Sequence, residues 1–391
     1  MPETLTPVVT AEDLWNRSVA GHLGDDVRSL GELVAATAPE AAGGPKRLAA
    51  HTLVLDTPVV LDTDTILVCE ELTVPFFSRG GPARIELAEG AGRLQVVARR
   101  IRGEVNINGP GRDGEDGAPG RPGETGIEGL RGTPGPDGKD ATDFHSSKNG
   151  KSGGTGETGG PGGLGTEGGG GSAGGDGRDI IVIAESFEPG TILNVTVPGG
   201  RGGRGGIGGN GGRGGSGGPG GPGGQGGDGS IFHGASKGGR GGRGGTGGPG
   251  REGNIGGPGG DGGDGGTLTV YARDPANVPV ISFDADGGVG GPGGPGGSGG
   301  LGGSGGLGGR GGQGGKAKEN DPSGANGPNG ADGPEGRPGE RGPDGVKGKD
   351  GKFTPEWNLK ILPSPETFVA LAALALGDHG AARELGVDLA A

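Results

Sequence analysis

The feature that most constrains the fold of this chain is an unbroken series of Gly-Gly-X triplets between Pro198 and Gly229. Glycine at two of every three positions leaves no side chains for the apolar face of an α-helix or the alternating faces of a β-strand. The repeat suits a backbone with three residues per turn, the polyproline II conformation. On such a backbone the X residues form one ridge and the glycines form two bare faces. The run is therefore predicted to pack against others of its kind.

Glycine recurs at every third position in six runs of nearly equal length. Runs 1 to 6 contain ten, ten, eleven, ten, ten and ten such glycines at 111–138, 150–177, 199–229, 238–265, 287–314 and 324–351. The matched lengths predict that the runs lie side by side. Runs 3 to 5 are mostly Gly-Gly-X, whereas runs 1 and 6 are Gly-X-Y with a single bare face. Runs 1 and 6 are therefore predicted to lie at the edges.

The connectors between the runs alternate in kind. Short polar connectors predict three tips, at 139–149, 230–237 and 315–323. The other connectors carry apolar residues in alternation, which predicts strand, turn and strand. Similar alternation precedes run 1, and a last strand could follow run 6. The chain is thus predicted to go out along a run, turn at a tip, return, and form a β coil at a base.

These patterns give a predicted fold class that is mostly irregular and polyglycine II. It consists of a six-helix antiparallel polyglycine-II bundle projecting from a short β-solenoid base, with small α-helical segments at both termini. With 28% hydrophobic and 3% aromatic residues, the chain cannot bury an ordinary core along its whole length. The predicted domains are an N-terminal helical docking segment at 1–50, the base at 51–108 with further strands at 178–198, 266–286 and 353–362, the bundle at 109–351, and a C-terminal helical hairpin at 363–391.

Charge and cysteine content exclude some classes of partner. The formal net charge of −13 argues against general affinity for nucleic acid or an anionic membrane. The single cysteine, Cys69, rules out an internal disulfide. Residues 1–19 lack the apolar core of a classical signal peptide, and no stretch approaches the ~20 apolar residues of a membrane span. We therefore expect a protein that is cytoplasmic or part of a particle assembled in the cytoplasm.

Two tips share a Phe-His pair followed by serine and lysine, in a chain with only 8 Phe and 5 His. This recurrence predicts a recognition surface for a protein or glycan. The alternative is that the two pairs pack together to seal the end of the bundle. The third tip lacks the sequence. The predicted recognition residues are Phe144, His145, Lys148, Phe232, His233 and Lys237.

Other patterns point only weakly to chemistry. Arg201 and Arg204 have the spacing of RGG-type RNA-binding segments, but no aromatic residue is interleaved for base stacking. Asp261 and Asp264 stand one triplet apart, without the nine-residue period of calcium-binding repeats, so solvated carboxylates are favoured. The sequence also contains no P-loop, HExxH or GxSxG motif. We expect no enzymatic activity, no cofactor and no bound metal.

The triplet runs carry a resemblance to known families over residues 109–351 approximately. Runs 1 and 6 resemble collagen Gly-X-Y, and the Gly-Gly-X runs resemble polyglycine-II bundle proteins, namely snow-flea-type antifreeze proteins and the tip adhesins of some phage tail fibres. An antifreeze protein of this type implies a flat ice-binding face of small residues, whereas X here is often Arg, Asp, Pro or Leu. An adhesin of this type implies a docking domain, a glycine bundle and distal recognition loops.

The predicted function is therefore that of a non-enzymatic structural or adhesive protein, a fibre-tip or surface adhesin, whose rigid bundle presents recognition loops. The alternative is an intracellular assembly scaffold or rigid spacer that recruits partners, or associates with itself, through its terminal helices. RGG-type RNA binding and ice binding are less favoured. The oligomeric state stays open.

Overall fold

Two parallel sheets and a set of glycine runs make up most of the structure. The computed structural model describes residues 10–24, 26–37, 44–75, 83–274, 277–317, 325, 327–328, 347–353 and 357–379. Sheet A has seven strands in the order β1-β2-β4-β6-β8-β10-β12, and sheet B has five in the order β11-β9-β7-β5-β3. The strands of sheet A are Val27–Ser29, Lys46–Val54, Thr65–Thr73, Arg93–Arg102, Asp179–Phe187, Thr267–Ala272 and Asn358–Ile361. In chain order (β3, β5, β7, β9, β11), those of sheet B are Val59–Leu61, Ile85–Leu87, Glu104–Asn108, Ile192–Thr196 and Val280–Asp284.

From β2 onward, consecutive strands lie in different sheets, so each coil of the chain contributes one strand to each sheet. All the pairings are parallel, and equivalent residues stack on one another from coil to coil. Val96, Val182 and Val270 form one such column between the sheets, and each is at most 2% exposed. Every second residue of a strand faces this interior, which explains the alternating pattern of the sequence.

Helices cover the outer face of sheet A. Helix α1 (Ala11–Trp15) begins with a capping box between Thr10 and Asp13, and continues through a π-helical turn, Asn16–Ala20, into α2 (Gly21–Leu23). Helix α4 (Pro365–Ala375) is capped by Ser364. The rings of Trp15 and Phe368 stack at 5.6 Å and join the two helical segments. This second apolar layer buries Val68, Val97 and Ile183 of sheet A.

A further helix closes one end of the space between the sheets. Helix α3 (Leu30–Ala36) contacts β1 and β2 of sheet A and β3 of sheet B. Its Leu30 is fully buried and Leu33 is 7% exposed, both within the central apolar cluster. The N-terminal end of the core is therefore capped.

The glycine runs continue the two sheets. Strands β7 and β9 lead directly into runs 1 and 3, and runs 2 and 4 lead directly into β8 and β10. The hydrogen bonds between neighbours continue without interruption from strand to run, as from Gly109 N–H to Thr196 O and then from Gly111 N–H to Pro198 O. Runs 1, 3 and 5 thus form an odd layer above sheet B. Runs 2, 4 and the described parts of run 6 form an even layer above sheet A.

Each interior triplet uses its backbone N–H groups in a fixed way. In run 3, Gly199 donates to the carbonyl of Asp286 in the same layer, and Gly200 donates to the carbonyl of Gly175 in the other layer. The N–H of the X residue points out of the array. Neighbouring runs are parallel within a layer and antiparallel between layers, so main-chain bonds recur at every third residue in two directions.

These contacts explain why two positions in each triplet must be glycine. A Cβ on Gly205 would lie 1.9 Å from the carbonyl oxygen of Gly257, and one on Gly206 would lie 2.0 Å from that of Ala118. Both are well inside van der Waals contact. The equivalent of Gly206 in run 1 is Ala118 itself, which can carry a side chain because no described run lies beyond run 1. Gly-X-Y therefore marks a run with fewer neighbours.

The predicted fold class is wrong. The chain is not mostly irregular with a six-helix polyglycine-II bundle on a short base. It has an α/β arrangement of two parallel sheets, with seven and five strands and helices over one face. The prediction treated the strands as a base separate from the runs. Strands and runs share one register, so the runs are extensions of the sheets.

Further parts of that prediction need correction. The runs are antiparallel only between layers, because runs within one layer are parallel. The collagen-like description of run 1 is wrong, since it bonds to runs 2 and 3 of the same chain in two layers and is no strand of a triple helix. Most of run 6, and the second helix expected at 378–389, lie outside the described residues. In the described part of run 6, residues 347–353 bond to runs 4 and 5.

Candidate functional site

The two Phe-His tips lie side by side at the end of the array farthest from the sheets. Phe144 is 90% exposed and Phe232 is 70% exposed. His145, Lys148 and Lys237 are also exposed, and His233 is partly buried. All six predicted recognition residues thus lie at one end of the molecule.

The first tip is a tight backbone turn. Thr142 and His145 form an isolated antiparallel bridge, with Thr142 N–H donating to His145 O at 2.9 Å and His145 N–H donating back at 3.3 Å. The hydroxyl of Thr142 also accepts the His145 N–H at 3.1 Å. The turn is closed below by Lys148 N–H donating to Lys139 O at 2.8 Å. These bonds fix the backbone of the residues on either side of Phe144.

The second tip is bonded to the first. The hydroxyl of Ser147 donates to the carbonyl of Gly234 at 2.7 Å and lies 2.7 Å from the hydroxyl of Ser236. Gly227 N–H donates to the carbonyl of Lys148 at 3.0 Å. The two loops therefore form one connected surface.

The tips are related by a shift of 88 residues. Asp140 pairs with Asp228 and Thr142 with Ser230 at this separation. The same shift maps Phe144 and His145 onto Phe232 and His233. It maps Lys148 onto Ser236 and Asn149 onto Lys237, so the two lysines are not equivalent. The Phe-His pair is thus repeated in register, and the lysines extend the surface at different positions.

The exposure of the rings argues against the interpretation that the two Phe-His pairs pack together. If the phenylalanines packed together to seal the array, most of each ring would be buried. With exposures of 90% and 70%, both rings face solvent. The neighbouring Ile231 is 67% exposed as well. Three large apolar side chains are therefore exposed at this end of the array.

The third tip lies mostly outside the described residues, which end at 317 on that side. Its first residues continue the same arrangement. Gly229 N–H donates to the carbonyl of Lys316, and Gly315 N–H donates to the carbonyl of Ser236. The second tip therefore lies between the first and the beginning of the third.

Sequence reasoning missed the residues that hold the tips together. Asp140, Asp228, Ser147 and Ser236 supply the side-chain bonds between loops. Part of the signal was present in the sequence, because Asp140 and Asp228 stand 88 positions apart, whereas Ser147 and Ser236 stand 89 apart. Alignment of each coil with the next would have found the two aspartates.

Asp and Asn residues serve a structural role along the array. Ten of them accept the backbone N–H of the X residue 88 positions later, which the runs themselves leave unbonded. Asp261 and Asp264 accept the N–H groups of Lys349 and Lys352 at 2.7 and 2.8 Å, which favours a structural role over a cation site. Within the described residues, no cluster of three metal-ligating side chains occurs. The ten acceptors are Asp113, Asp116, Asp137, Asp140, Asn149, Asp176, Asn210, Asp228, Asp261 and Asp264.

A polar cleft of about 530 Å³ lies over sheet A at the opposite end of the molecule. Arg99 and Arg273 line it, and both pair with Glu185. Arg99 also pairs with Glu70 and Glu12, and its guanidinium lies 5.2 Å from the ring centre of Trp15. Burial alone would lower the pKa of Arg99, but these carboxylates raise it above the ordinary value. The cluster fastens α1 to the sheet and is internally paired.

Comparisons with known proteins add little to this geometry. No protein-family model matches the chain, and no curated protein matches it. Among solved structures, it is similar to a springtail antifreeze protein from Granisotoma rainieri, described as a nine polyproline type II helical bundle. That similarity has 25% sequence identity, covers 46% of this chain and 94% of the other, and has a TM-score of 0.06. A TM-score this low supports no argument about fold or function.

No helix in the described part of the chain is long and apolar enough to cross a membrane.

Proposed function

We propose that this chain is a non-enzymatic adhesive protein that binds a protein or glycan through the paired tips. The observation that supports this most directly is the exposure of Phe144 and Phe232, repeated in register on adjacent coils. Aromatic side chains are the commonest anchors of recognition surfaces, because they bury a large area with little loss of conformational freedom. Here two such rings project from backbones that hydrogen bonds already hold in place.

The surrounding groups suit a polar partner. His145 and Lys148 on the first tip, and His233 and Lys237 on the second, supply hydrogen-bond donors around the rings. A sugar ring or a protein surface could stack an apolar face on a phenylalanine and bond its polar groups to these side chains. The array then serves to hold the tips away from the sheets.

The main alternative was recruitment of partners through the terminal helices. The apolar side chains of these helices are already used inside the molecule, since Trp15 is 2% exposed, Phe368 1% and Val369 3%. They pack on each other and on sheet A. This packing favours the tips over the helices as the binding surface.

We further propose that the protein folds in the cytoplasm, alone or as part of a particle. Cys69 is compatible with a reducing compartment, because it is fully buried among apolar residues and burial raises the pKa of its thiol. This part of the proposal is independent of the identity of the target.

The test is a binding screen with the labelled full chain on glycan and protein microarrays, compared with the double variant Phe144→Ala/Phe232→Ala. We expect the variant to weaken every specific signal by about tenfold or more, because each lost ring removes an anchor. The matched control is Ile127→Ala/Leu130→Ala, which removes two side chains that are 83% and 68% exposed on run 1. Unchanged binding by the tip variant would contradict the proposal.

A further inference from the structure

The two ends of the stack of coils differ in how the core is closed. At the N-terminal end, α3 covers the space between the sheets with Leu30 and Leu33. At the other end, the last strands are β12 in sheet A and β11 in sheet B. No described strand or helix pairs beyond either of them.

At the uncovered end, apolar residues are exposed at positions whose equivalents in the preceding coil are buried. Leu359 pairs with Val270 and Ile361 pairs with Ala272, so both stand in inward-facing columns. Val270 and Ala272 are at most 1% exposed, whereas Leu359 is 41% exposed and Ile361 is 47% exposed. Stacked repeats bury their core against the next repeat, and an end without a cap leaves that core open.

Sheet B shows the same change. Ile281 and Phe283 of β11 continue the columns of Leu193 and Val195. The earlier pair is at most 3% exposed, but Ile281 and Phe283 are only partly buried. The end face is therefore an open cross-section of the apolar core, bordered by two strand edges.

We propose that this end face is covered by the same face of a second copy of the chain, which forms a closed dimer. Copies of the chain cannot stack head to tail in an open series, because α3 already caps the N-terminal end of the core. A second copy offers an identical cross-section, so a two-fold arrangement places the apolar residues of the two copies against one another. The new surface is made of the edge strands β11 and β12 and is distinct from the terminal helices and the tips.

The described C-terminal end of the chain lies away from this face. The described residues end at 379, shortly after α4. The last residue of α4, Ala375, accepts a hydrogen bond from the side chain of Arg47 in β2 at 3.0 Å. Strands β2 and β12 are separated by five strand spacings, or about 24 Å. Helix α4 packs on the strands between them. Among the described residues that precede 347, Ala325 and Gly327 bond to runs 4 and 5.

The charges on the last strand do not oppose this contact. Lys360 faces away from the core, with its ammonium 3.3 Å from the hydroxyl of Tyr271 and 5.3 Å from the centre of that ring. The inward side of β12 carries only Leu359 and Ile361. The dimer would thus bury apolar groups and leave the lysine at the rim.

The test is sedimentation of the full chain by analytical ultracentrifugation across the micromolar range. We expect twice the chain mass for the wild type and the single-chain mass for Leu359→Glu/Ile361→Glu. The control Ile127→Glu/Leu130→Glu places the same charges on run 1, at the far side of the array, and is expected to keep the dimer. A single-chain mass for the wild type, or a dimer in the β12 variant, would overturn the proposal.

Hydrogen exchange provides a readout that does not require a variant to fold. In the wild-type chain, the amides of β11 and β12 are expected to gain at least tenfold protection on passing from dilute to concentrated samples, while those of β4 and β6 stay unchanged. A deletion of 380–391 is expected to leave this protection intact. If the deletion instead exposes β12 in a chain that is monomeric throughout, the segment is the cap and the dimer is excluded.

Discussion

The carboxylate of Asp228 accepts the backbone N–H of Lys316, 88 residues further along the chain, at 2.7 Å. The N–H of Asp228 in turn donates to Asp140 at 2.8 Å, again across 88 residues. The glycine N–H groups of a triplet donate to main-chain carbonyls of neighbouring runs, but the N–H of the X residue has no main-chain acceptor there. An aspartate or asparagine one coil earlier supplies the missing acceptor. Proline at X avoids the need for an acceptor, since it has no N–H.

The first prediction concerns this side-chain acceptor. Asp228→Ala is expected to lower the free energy of unfolding by about 1 kcal/mol, the usual contribution of one hydrogen bond. Asp228→Asn keeps an acceptor oxygen in the same place and is expected to retain most of that stability. Chemical denaturation measures both. Equal losses in the two variants would mean that the charge, and not the hydrogen bond, is what matters.

The second prediction uses two adjacent glycines of run 2. A Cβ on Gly171 would lie 2.2 Å from the carbonyl oxygen of Gly203, whereas one on Gly170 would lie 3.4 Å from its nearest neighbour, the ring of Pro258. Gly171→Ala is therefore expected to cost about 2 kcal/mol or more through overpacking. Gly170→Ala, at an X position, is expected to be neutral or slightly stabilising. Thermal unfolding followed by circular dichroism distinguishes the pair, and similar melting temperatures would refute the proposed packing.

The third prediction concerns the charged cluster beneath α1. Arg99→Met removes the partner of Glu12, Glu70 and Glu185, and its side chain is only 23% exposed. We expect a loss of about 1 to 3 kcal/mol, mostly because Glu70 and Glu12 lose their counter-charge, whereas Glu185 keeps Arg273. Arg28→Met, which breaks an exposed pair with Asp26, is the matched control and is expected to cost about 0.5 kcal/mol or less. Equal losses of unfolding free energy in the two variants would contradict a larger stabilising role for Arg99 than for Arg28.

The fourth prediction concerns acid. The hydroxyl and N–H of Thr10 donate to Asp13 and lower the pKa of this carboxyl below its ordinary value of 3.8. A depressed pKa in the folded state contributes stability above the ordinary value, and the contribution is lost as the pH falls through the folded pKa. Fluorescence of Trp15, read in a Trp357→Phe background, is expected to report undocking of α1 as the solution is acidified below pH 3.8. Asp13→Asn is expected to flatten this part of the titration, and an unchanged titration would contradict the assignment.

The sequence carried local information more clearly than long-range information. Alternation of apolar residues predicts strands at segments such as 180–183 and 192–197, where β8 and β9 lie. The sheet to which each strand belongs depends on contacts between residues 19 to 89 positions apart, which no local period reveals. The fold class was therefore wrong although many strand segments were visible.

The candidate site shows the same division. The repeated Phe-His pair identified the tips, but the exposure of Phe144 and the bond between Ser147 and Ser236 depend on how adjacent coils lie. A fixed offset of 88 between polar residues was the long-range signal available in the sequence. It also distinguishes the equivalent histidines from the two lysines, which local similarity had treated alike.

The constant separation of 88 residues has a consequence for how such a molecule can change in size. A triplet deleted from one outgoing run would shift every later bond in its coil out of register unless the returning run lost a triplet as well. The same change must then occur in the neighbouring coils. Height above the sheets is thus counted in whole steps of about 9 Å, at ~3.1 Å per residue. The distance from the sheets to the tips can therefore change only when whole triplets are added to or removed from the runs of every coil.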